Sequence, residues 1–520
     1  MIELLESRIA PAGLIDVVFS HGNVQFSVPT GDAGDESAVL TRPAAETLVI
    51  TPAADVSIRF GGISLPPGQP LSITEFTGDL RASLGGGNDS LTLSGGTYPG
   101  SIYVNLGGAQ DRLGTNGEIL QVGKNFLLAD GIAVNGAFTI RGGAQPDSVE
   151  LHGASFQADG SFSVSLGGGV NQFTADATIF QLGGNARVSS GGGSDLLLFK
   201  SAKIAVAGNL SVASGGGSDT VQFTSAVAEL AVNGNFAIAS SGSRSAIIEQ
   251  SLTGIAKIMI GGSLGMSAGT GDRVTQSVSA TSGMLSIGSV LFLAANPTEH
   301  IQVISTSGEG ITIGGAVAMK SHALNAHQTV STQTTAPAVV AGPLSLRGGT
   351  SVVVALGGDV HEGLTVITAA RHSASVSVSD ATIDGNLRII TKDGFGLSAA
   401  ISLSDLAVDG PVSIVGGIGA TTLKVDQTLV GQSFIAALGD GANAFRIEQE
   451  SQSGASIFTG NVELRGGSGA DSFLIGGVGN NTIQFLAGVL ANGAAGTDTL
   501  TEGDAVTHPA ESPLVKRNIP

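Results

Sequence analysis

The sequence predicts an all-β fold, a parallel β-helix or β-solenoid with about three short strands in each coil of 20–28 residues. Three observations predict it: a phrase that repeats at a fixed spacing, apolar residues that alternate in pairs, and a composition suited to strands and turns. The chain of 520 residues holds 79 Gly, no Cys and no Trp, and 42% of its residues are apolar. Gly, Ser, Thr, Val and Ile favour turns and strands over helices.

The repeat is clearest in "GNARVSSGGGSDLLLF" at 184–199 and "GNLSVASGGGSDTVQF" at 208–223. Each phrase opens on a glycine, and an Asp or Asn follows eleven positions later. Constant spacing of this kind is the signature of a stacked repeat. The same count relates the opening glycines Gly78, Gly100, Gly136, Gly160, Gly184, Gly208, Gly261 and Gly460 to Asp89, Asp111, Asp147, Asn171, Asp195, Asp219, Asp272 and Asp471.

Apolar pairs keep the register of this repeat. In one unit they are Leu210 and Val212 after the opening glycine, Val221 and Phe223 after the aspartate, and Leu230 and Val232 before the next glycine. Alternation with period two predicts strands with one buried face. A unit this short cannot bury its own apolar face, so we expect it to stack on its neighbours. Propeller blades are longer than this unit, and a sandwich has no fixed recurrence.

The array has distinct ends. Residues 1–60 match the repeat poorly and are predicted to form an N-terminal segment and cap, which a solenoid needs to cover its terminal coil. Residues 61–486 are predicted to form the solenoid. The apolar alternation weakens after residue 486, and 487–520 are predicted to form a C-terminal cap and a disordered tail.

Charge and length exclude several classes of protein. The net charge of −19, from 42 acidic and 23 basic residues, argues against a nucleic-acid partner, which requires clustered Lys and Arg. No run of about 18 apolar residues is present, so no transmembrane helix is predicted. The lack of cysteine excludes disulfides and thiolate metal sites.

The glycine–aspartate turns permit two interpretations. In the first, glycine supplies positive φ angles and the aspartate caps the turn. In the second, stacked carboxylates about 5 Å apart repel one another unless a divalent cation such as Ca²⁺ binds them. The candidate metal ligands are Asp471, Asp219, Asp195, Asp89, Asp111 and Asp147.

Two short resemblances bear on function. "GGSGADSFL" at 466–474 resembles the calcium-binding RTX nonapeptide, and "GGVGNNTIQ" at 476–484 is similar to a degenerate copy with Asn481 in place of the aspartate. That resemblance implies Ca²⁺ as a cofactor. "LLESRIAPA" at 4–12 looks like the LEPR-type sorting motif of exported bacterial β-strand-repeat proteins, with Ser7 where that motif has proline. It implies export.

An enzyme is the least favoured class. The less regular stretch 288–372 contains a loose set of chemistry-bearing residues with no catalytic spacing: Glu299, His300, Lys320, His322, His327, His361 and His372. Ser263 lies in the lipase-like pentapeptide "GGSLG", but the sequence predicts no helix after it, as a nucleophile elbow requires.

The sequence therefore predicts an extracellular or cell-surface structural or adhesin-like β-solenoid that is not an enzyme. Its expected partners are cell-surface or extracellular-matrix components. The alternatives are a calcium-binding RTX-like exported repeat protein and a polysaccharide-active β-helix enzyme.

Overall fold

The computed structural model describes residues 13–519 except 30–33, 88, 108–124, 225–226, 243–245, 296, 324, 333–337, 369–372, 393–396, 450–453 and 477–480. These residues form strands and turns without any helix. The predicted fold class is confirmed: the chain is an all-β solenoid with parallel stacking.

The chain divides into two compact units, residues 1–249 and 250–520. The strands up to the boundary are β1 (Leu14–Ser20), β2 (Asn23–Ser27), β3 (Ser37–Ala44), β4 (Thr47–Pro52), β5 (Ser57–Phe60), β6 (Ile63–Ser64), β7 (Leu71–Ile73), β8 (Leu80–Ser83), β9 (Ser90–Tyr98), β10 (Ile102–Asn105), β11 (Asn125–Val134), β12 (Phe138–Arg141), β13 (Asp147–Ala158), β14 (Phe162–Ser165), β15 (Gln172–Leu182), β16 (Ala186–Ser189), β17 (Leu196–Phe199), β18 (Lys203–Val206), β19 (Leu210–Ser214), β20 (Thr220–Phe223), β21 (Glu229–Val232), β22 (Phe236–Ser240) and β23 (Ile247–Ile255).

The strands of the second unit are β24 (Lys257–Ala268), β25 (Arg273–Ala280), β26 (Met284–Ala294), β27 (Glu299–Thr306), β28 (Gly310–Ile313), β29 (Val317–Ser321), β30 (Asn325–Thr332), β31 (Ala338–Val340), β32 (Leu344–Gly349), β33 (Ser351–Val360), β34 (Gly363–Thr368), β35 (Ala374–Ile383), β36 (Asn386–Ile390), β37 (Ser398–Val408), β38 (Val412–Val415), β39 (Ala420–Val430), β40 (Phe434–Ala437), β41 (Ala444–Ile447), β42 (Ala455–Phe458), β43 (Val462–Arg465), β44 (Ser472–Ile475), β45 (Thr482–Phe485), β46 (Val489–Asn492), β47 (Thr499–Glu502), β48 (Val506–Thr507) and β49 (Leu514–Arg517).

Each coil contributes one stretch of strand to each of three parallel ladders. The first ladder follows the opening glycine and includes β8, β10, β12, β14, β16, β19 and β22 in the first unit. The second ladder follows the aspartate, and the third precedes the next opening glycine. In the second unit the first ladder runs through the end of β24, the end of β26, and then β29, β32, β34, β36, β38, β40, β43, β46 and β49.

Coil length varies while the register is kept. From β12 onward in the first unit and throughout the second, partners on successive coils lie between 19 and 29 positions apart. The exception is one longer coil: β9 stacks on β11, and β10 on β12, although their equivalent residues are 36 positions apart. The extra residues fall between β10 and β11, and most of them lie outside the described part of the chain.

Adjacent strands often merge into one long bent strand, which the sequence did not predict. In the second unit the bend between second and third ladders places Asp380, Asp405 and Gln427 at φ of 52°, 53° and 49°. Gly357 has φ of 56° at the equivalent bend one coil earlier, and Glu448, directly after β41, has φ of 54°. Glycine adopts this left-handed conformation without strain, and other residues adopt it singly. The corners of successive coils therefore lie in line.

The N-terminal strands differ from the rest of the first unit. β1 pairs antiparallel with β2, and β4 pairs antiparallel with both β3 and β7. β2 and β3 then pair in parallel with β8 and β9 and so continue into the first and second ladders. Antiparallel pairing thus extends to Ile73, beyond the boundary expected at residue 60.

Parallel stacking also continues past the boundary expected at residue 486. β46 stacks on β43, and β49 stacks on β46. Val489 and Ala491 are buried like earlier first-ladder residues, whereas Val515 in the last strand is 48% exposed. Within 487–520, residues 499–517 form strands and turns whose side chains are mostly exposed.

The core consists of the alternating apolar residues that the sequence predicts. Val221 and Phe223 are buried, and the rings of Phe199 and Phe223 stack with their centroids 4.2 Å apart. In the second unit Phe445 and Phe473 stack at 4.6 Å. Equivalent side chains thus lie one above another along the solenoid, which fixes the positions of the turns between strands.

Candidate functional site

The glycine triplets form the turns between the first and second ladders. The third glycine of each, Gly193 or Gly217, has φ of 133° or 128°, which side chains rarely allow. A Cβ on Gly217 would also lie 1.9 Å from the carbonyl oxygen of Gly193 on the neighbouring coil. Both backbone angle and close stacking therefore require glycine.

The aspartate after each triplet is buried and links two coils. Oδ1 of Asp219 accepts the backbone N–H of Asp195 at 3.1 Å, and Oδ1 of Asp195 accepts that of Asn171 at 2.8 Å. Oδ1 of Asn171 in turn accepts the N–H of Asp147 at 3.0 Å. We call this series the Asx ladder. At the start of the array, Oδ1 of Asp89 accepts the N–H of Glu36 at 2.9 Å.

The second unit repeats the arrangement near its end. Asn443 Oδ1 accepts the N–H of Thr421 at 2.9 Å, Asp471 Oδ1 accepts that of Asn443 at 3.0 Å, and Asp498 Oδ1 accepts that of Asp471 at 2.8 Å. The other oxygen of Asp471 accepts the N–H of Gly467 at 2.9 Å within its own turn. The aspartate therefore caps its turn and joins it to the preceding coil.

Burial makes these carboxylates unusually basic. Loss of hydration raises the pKa of Asp219 to about 6, against the opposing effects of hydrogen bonds from the Asp195 backbone and Ser214. Burial also raises the pKa of Asp195 and of Asp471, and the backbone N–H groups they accept again act in the opposite direction. The protonated form is thus favoured more than in an exposed aspartate.

The structure places the predicted metal ligands as follows. Asp89, Asp147, Asp195 and Asp219 in the first unit, and Asp471 in the second, are all buried in equivalent turns. Asp111 lies outside the described residues. Asp272, predicted by the same count, is exposed and does not join the ladder.

The ladder geometry fits turn capping, the first of the two interpretations, most completely at Asp471. Ca²⁺ takes six to eight oxygen ligands, whereas both oxygens of Asp471 already accept N–H groups. Asn171 and Asn443 fill the same position without a charge and donate Nδ2 to backbone carbonyls of their own turns. Within the described ranges, no group of three or more His, Cys, Asp or Glu side chains could hold a metal ion.

Asn481, from the degenerate RTX-like turn, makes the same kind of contact. Its Oδ1 accepts the N–H of Gly454 at 3.0 Å. Asn481 immediately precedes β45, in the third ladder, so capping of this type occurs at a second corner of the solenoid. Residues 477–480 of this turn lie outside the described residues.

The candidate catalytic residues of 288–372 lie on different ladders. Lys320 is exposed on β29 in the first ladder, and His327 is exposed on β30 in the second. Glu299 pairs with Arg273 at 3.4 Å, and His361 hydrogen bonds Asp384 at 2.6 Å at the opening turn of a coil. Ser263 lies inside the strand β24, with no helix after it. The structure therefore does not gather the described members of this set, and His372 lies outside the described residues.

His300 belongs to an interior polar network that the sequence analysis missed. Its Nε2 lies 3.0 Å from Gln276 Oε1, and burial lowers the pKa of His300 to about 3. Gln276 Nε2 donates to Gln250 Oε1 at 2.9 Å, Gln302 Nε2 to Gln276 Oε1 at 3.1 Å, and Gln328 Nε2 to Gln302 Oε1 at 2.7 Å. We call the four glutamines, Gln250, Gln276, Gln302 and Gln328, the glutamine ladder.

Each glutamine is also tied to the backbone. Gln276 Nε2 donates to the carbonyl of Leu293 at 3.0 Å, and Gln328 Nε2 to that of Met319 at 3.0 Å. The signal that reveals the ladder in the sequence is equal spacing, because consecutive members are 26 residues apart.

Comparison with protein-family models, with curated proteins and with solved structures returned no match. The part of the chain that the structure describes contains no helix able to cross a membrane.

Proposed function

We propose that this protein is an exported structural repeat protein whose outward ladder surfaces serve in adhesion at the cell surface. The observation that carries the proposal is the in-register stacking of three ladders, which repeats the same outward positions from coil to coil. A repeated surface suits attachment to an extended or repeating partner, such as a cell-surface or matrix component. A catalytic role is not part of the proposal.

The sequence supports export. The first residues include "LLESRIAPA", and the chain is acidic and free of cysteine. An acidic surface favours solubility outside the cell. Turn capping by buried Asp and Asn holds the coils together without disulfides.

Export is tested by treating intact producing cells with a protease and probing with antibodies raised against residues 250–520. We expect cleavage of the full-length chain on intact cells, and retention inside the cell when residues 4–12 are deleted. Equal protection of both chains from the protease would overturn export.

Adhesion and catalysis are separated by a second assay on the purified chain. We expect the chain, coupled to beads, to retain envelope fragments of the producing cells, while release of reducing sugar from added polysaccharides stays at background. Sugar release that increases with protein concentration would instead support the polysaccharide-active enzyme.

A further inference from the structure

Positive charge is concentrated on the first ladder, although the chain carries a net charge of −19. In the first unit, the first-ladder strands from β8 to β22 contain three basic residues, Arg81, Arg141 and Arg187, and no acidic residue. In the second unit the first-ladder strands contain a single acidic residue, Glu463, against six basic residues: Lys320, Arg347, Arg388, Arg465, Lys516 and Arg517. The described acidic side chains lie mostly on the other ladders and in turns.

The first unit adds an aromatic ring to this surface. Arg81, Tyr103 and Arg141 lie on three consecutive strands, β8, β10 and β12. Tyr103 is the direct register partner of Arg81, and the Arg141 guanidinium lies 5.7 Å from the centroid of the Tyr103 ring. Both arginines are exposed and Tyr103 is half-buried. In the described part of the chain, neither guanidinium makes an ion pair.

This combination matches an acidic sugar polymer. A guanidinium binds a carboxylate through two parallel hydrogen bonds, and a tyrosine offers an apolar ring with a polar tip. Successive strands of the ladder are about 4.8 Å apart, a pitch comparable to the length of one sugar ring. The surface therefore presents cation, ring and cation on three successive strands, with Arg141 displaced two residues along its strand from the line of Arg81 and Tyr103.

A nucleic acid fits the same surface less well. Duplex and single-stranded nucleic acids carry a phosphate at every nucleotide and need many clustered cations. Here Asp79 and Asp159 flank the first ladder at the opening turns. Two exposed arginines beside these carboxylates supply fewer phosphate contacts than nucleic-acid binding needs, whereas a sugar is held by a few directed hydrogen bonds and ring contacts.

We infer that the surface formed by Arg81, Tyr103 and Arg141 binds an acidic polysaccharide of the uronate class. This inference rests on the proposed adhesive function and names its partner. Binding by the purified chain does not depend on export, so failure of the protease assay on cells and failure of sugar binding are distinguishable.

The test is calorimetric titration of the full chain with a polygalacturonate oligomer at low salt, with a neutral dextran of the same length as control. We expect polygalacturonate to bind and dextran not to bind. Arg141→Ala and Arg81→Ala should each weaken binding about tenfold, as for the loss of one charge-assisted hydrogen bond. Tyr103→Ala should weaken it similarly.

Lys203→Ala is the matched control, because it removes one positive charge from an exposed residue of the third ladder in the same unit. It should leave affinity within about twofold of the unchanged chain. Equal weakening by Lys203→Ala, or no binding of polygalacturonate by a correctly folded chain, would overturn the inference. Tighter binding of a thymidine oligonucleotide than of polygalacturonate would also overturn it, in favour of a nucleic acid.

Discussion

The Asx ladder and the glutamine ladder place polar side chains in the interior by opposite means. A carboxylate only accepts hydrogen bonds, so Asp195 and Asp219 depend on backbone N–H groups and retain a charge whose burial raises their pKa. A glutamine both donates and accepts, so Gln276 and Gln302 bond directly to each other. The first arrangement couples stability to pH, whereas the second adds no charge.

The largest expected effect comes from breaking the glutamine ladder in its middle. Gln276→Ala removes the acceptor of Gln302 and His300 and opens a cavity beside them. We expect the free energy of unfolding to fall by about 3 kcal/mol, seen as a lower midpoint in calorimetry. Gln328→Leu is the control. Gln328 is the last member of the ladder and its register partner on the following coil is Val352, so this substitution should lower the free energy of unfolding by less. Equal losses would contradict the ladder as a cooperative unit.

The Asx ladder is tested by two substitutions of one residue. Asp219→Ala leaves the N–H of Asp195 without its acceptor and should cost about 1–2 kcal/mol at pH 8. Asp219→Asn keeps the acceptor and removes a buried charge, as Asn171 already does, and should be neutral or stabilising by about 1 kcal/mol. Urea denaturation at pH 8 compares the three chains. A loss in Asp219→Asn as large as in Asp219→Ala would show that the charge itself is needed.

Asp219, in the Asx ladder, and His300, beside the glutamine ladder, should respond to pH in opposite directions. The pKa of Asp219 is raised in the folded chain to about 6, so its folded form binds a proton more tightly and its contribution to stability falls as pH rises from about 4 through about 6. The pKa of His300 is lowered to about 3, so its contribution is full above pH 6.5 and falls as pH drops.

Melting the chain and its variants between pH 4 and pH 8 measures both effects, each expected to be about 1 kcal/mol. The stability of Asp219→Asn relative to the unchanged chain should increase as pH rises, and the relative stability of His300→Gln should increase as pH falls. Parallel curves for either variant would show that the group does not titrate differently in the folded chain.

The smallest effect is expected from calcium. Because both oxygens of Asp471 accept N–H groups, a melt with Ca²⁺ should match a melt with chelator to within about 0.5 kcal/mol. A larger shift that is lost in Asp471→Ala would establish an ion site and support the RTX-like alternative.

Alternation predicted most of the core but failed where polar residues face inward. Val221 and Phe223 are buried as expected. In β27, however, Ile301 and Val303 lie half-buried on the outside while His300 and Gln302 are fully buried. Hydropathy alone would place the isoleucine and valine inside and the histidine and glutamine outside. It does not take into account that the buried amide of Gln302 hydrogen bonds to a glutamine on each neighbouring coil.

The aspartates show the same limit for the candidate site. Spacing located Asp195 and Asp219 in the turns, and turn capping was one of the two interpretations. The hydrogen bond from the preceding coil to each aspartate side chain could not be predicted, because it depends on how one turn stacks on another. The charge bias of the first ladder is likewise visible only once strands are assigned to faces.

The long coil between β10 and β12 has a consequence for how such chains diversify. Register is kept there across 36 positions, so extra residues at that corner leave the stacked strands undisturbed. A corner of this kind is an insertion site, because a peptide segment added there leaves the stacking of the strands unchanged. The array can thereby acquire new surface decoration by lengthening single turns rather than by redesigning its core.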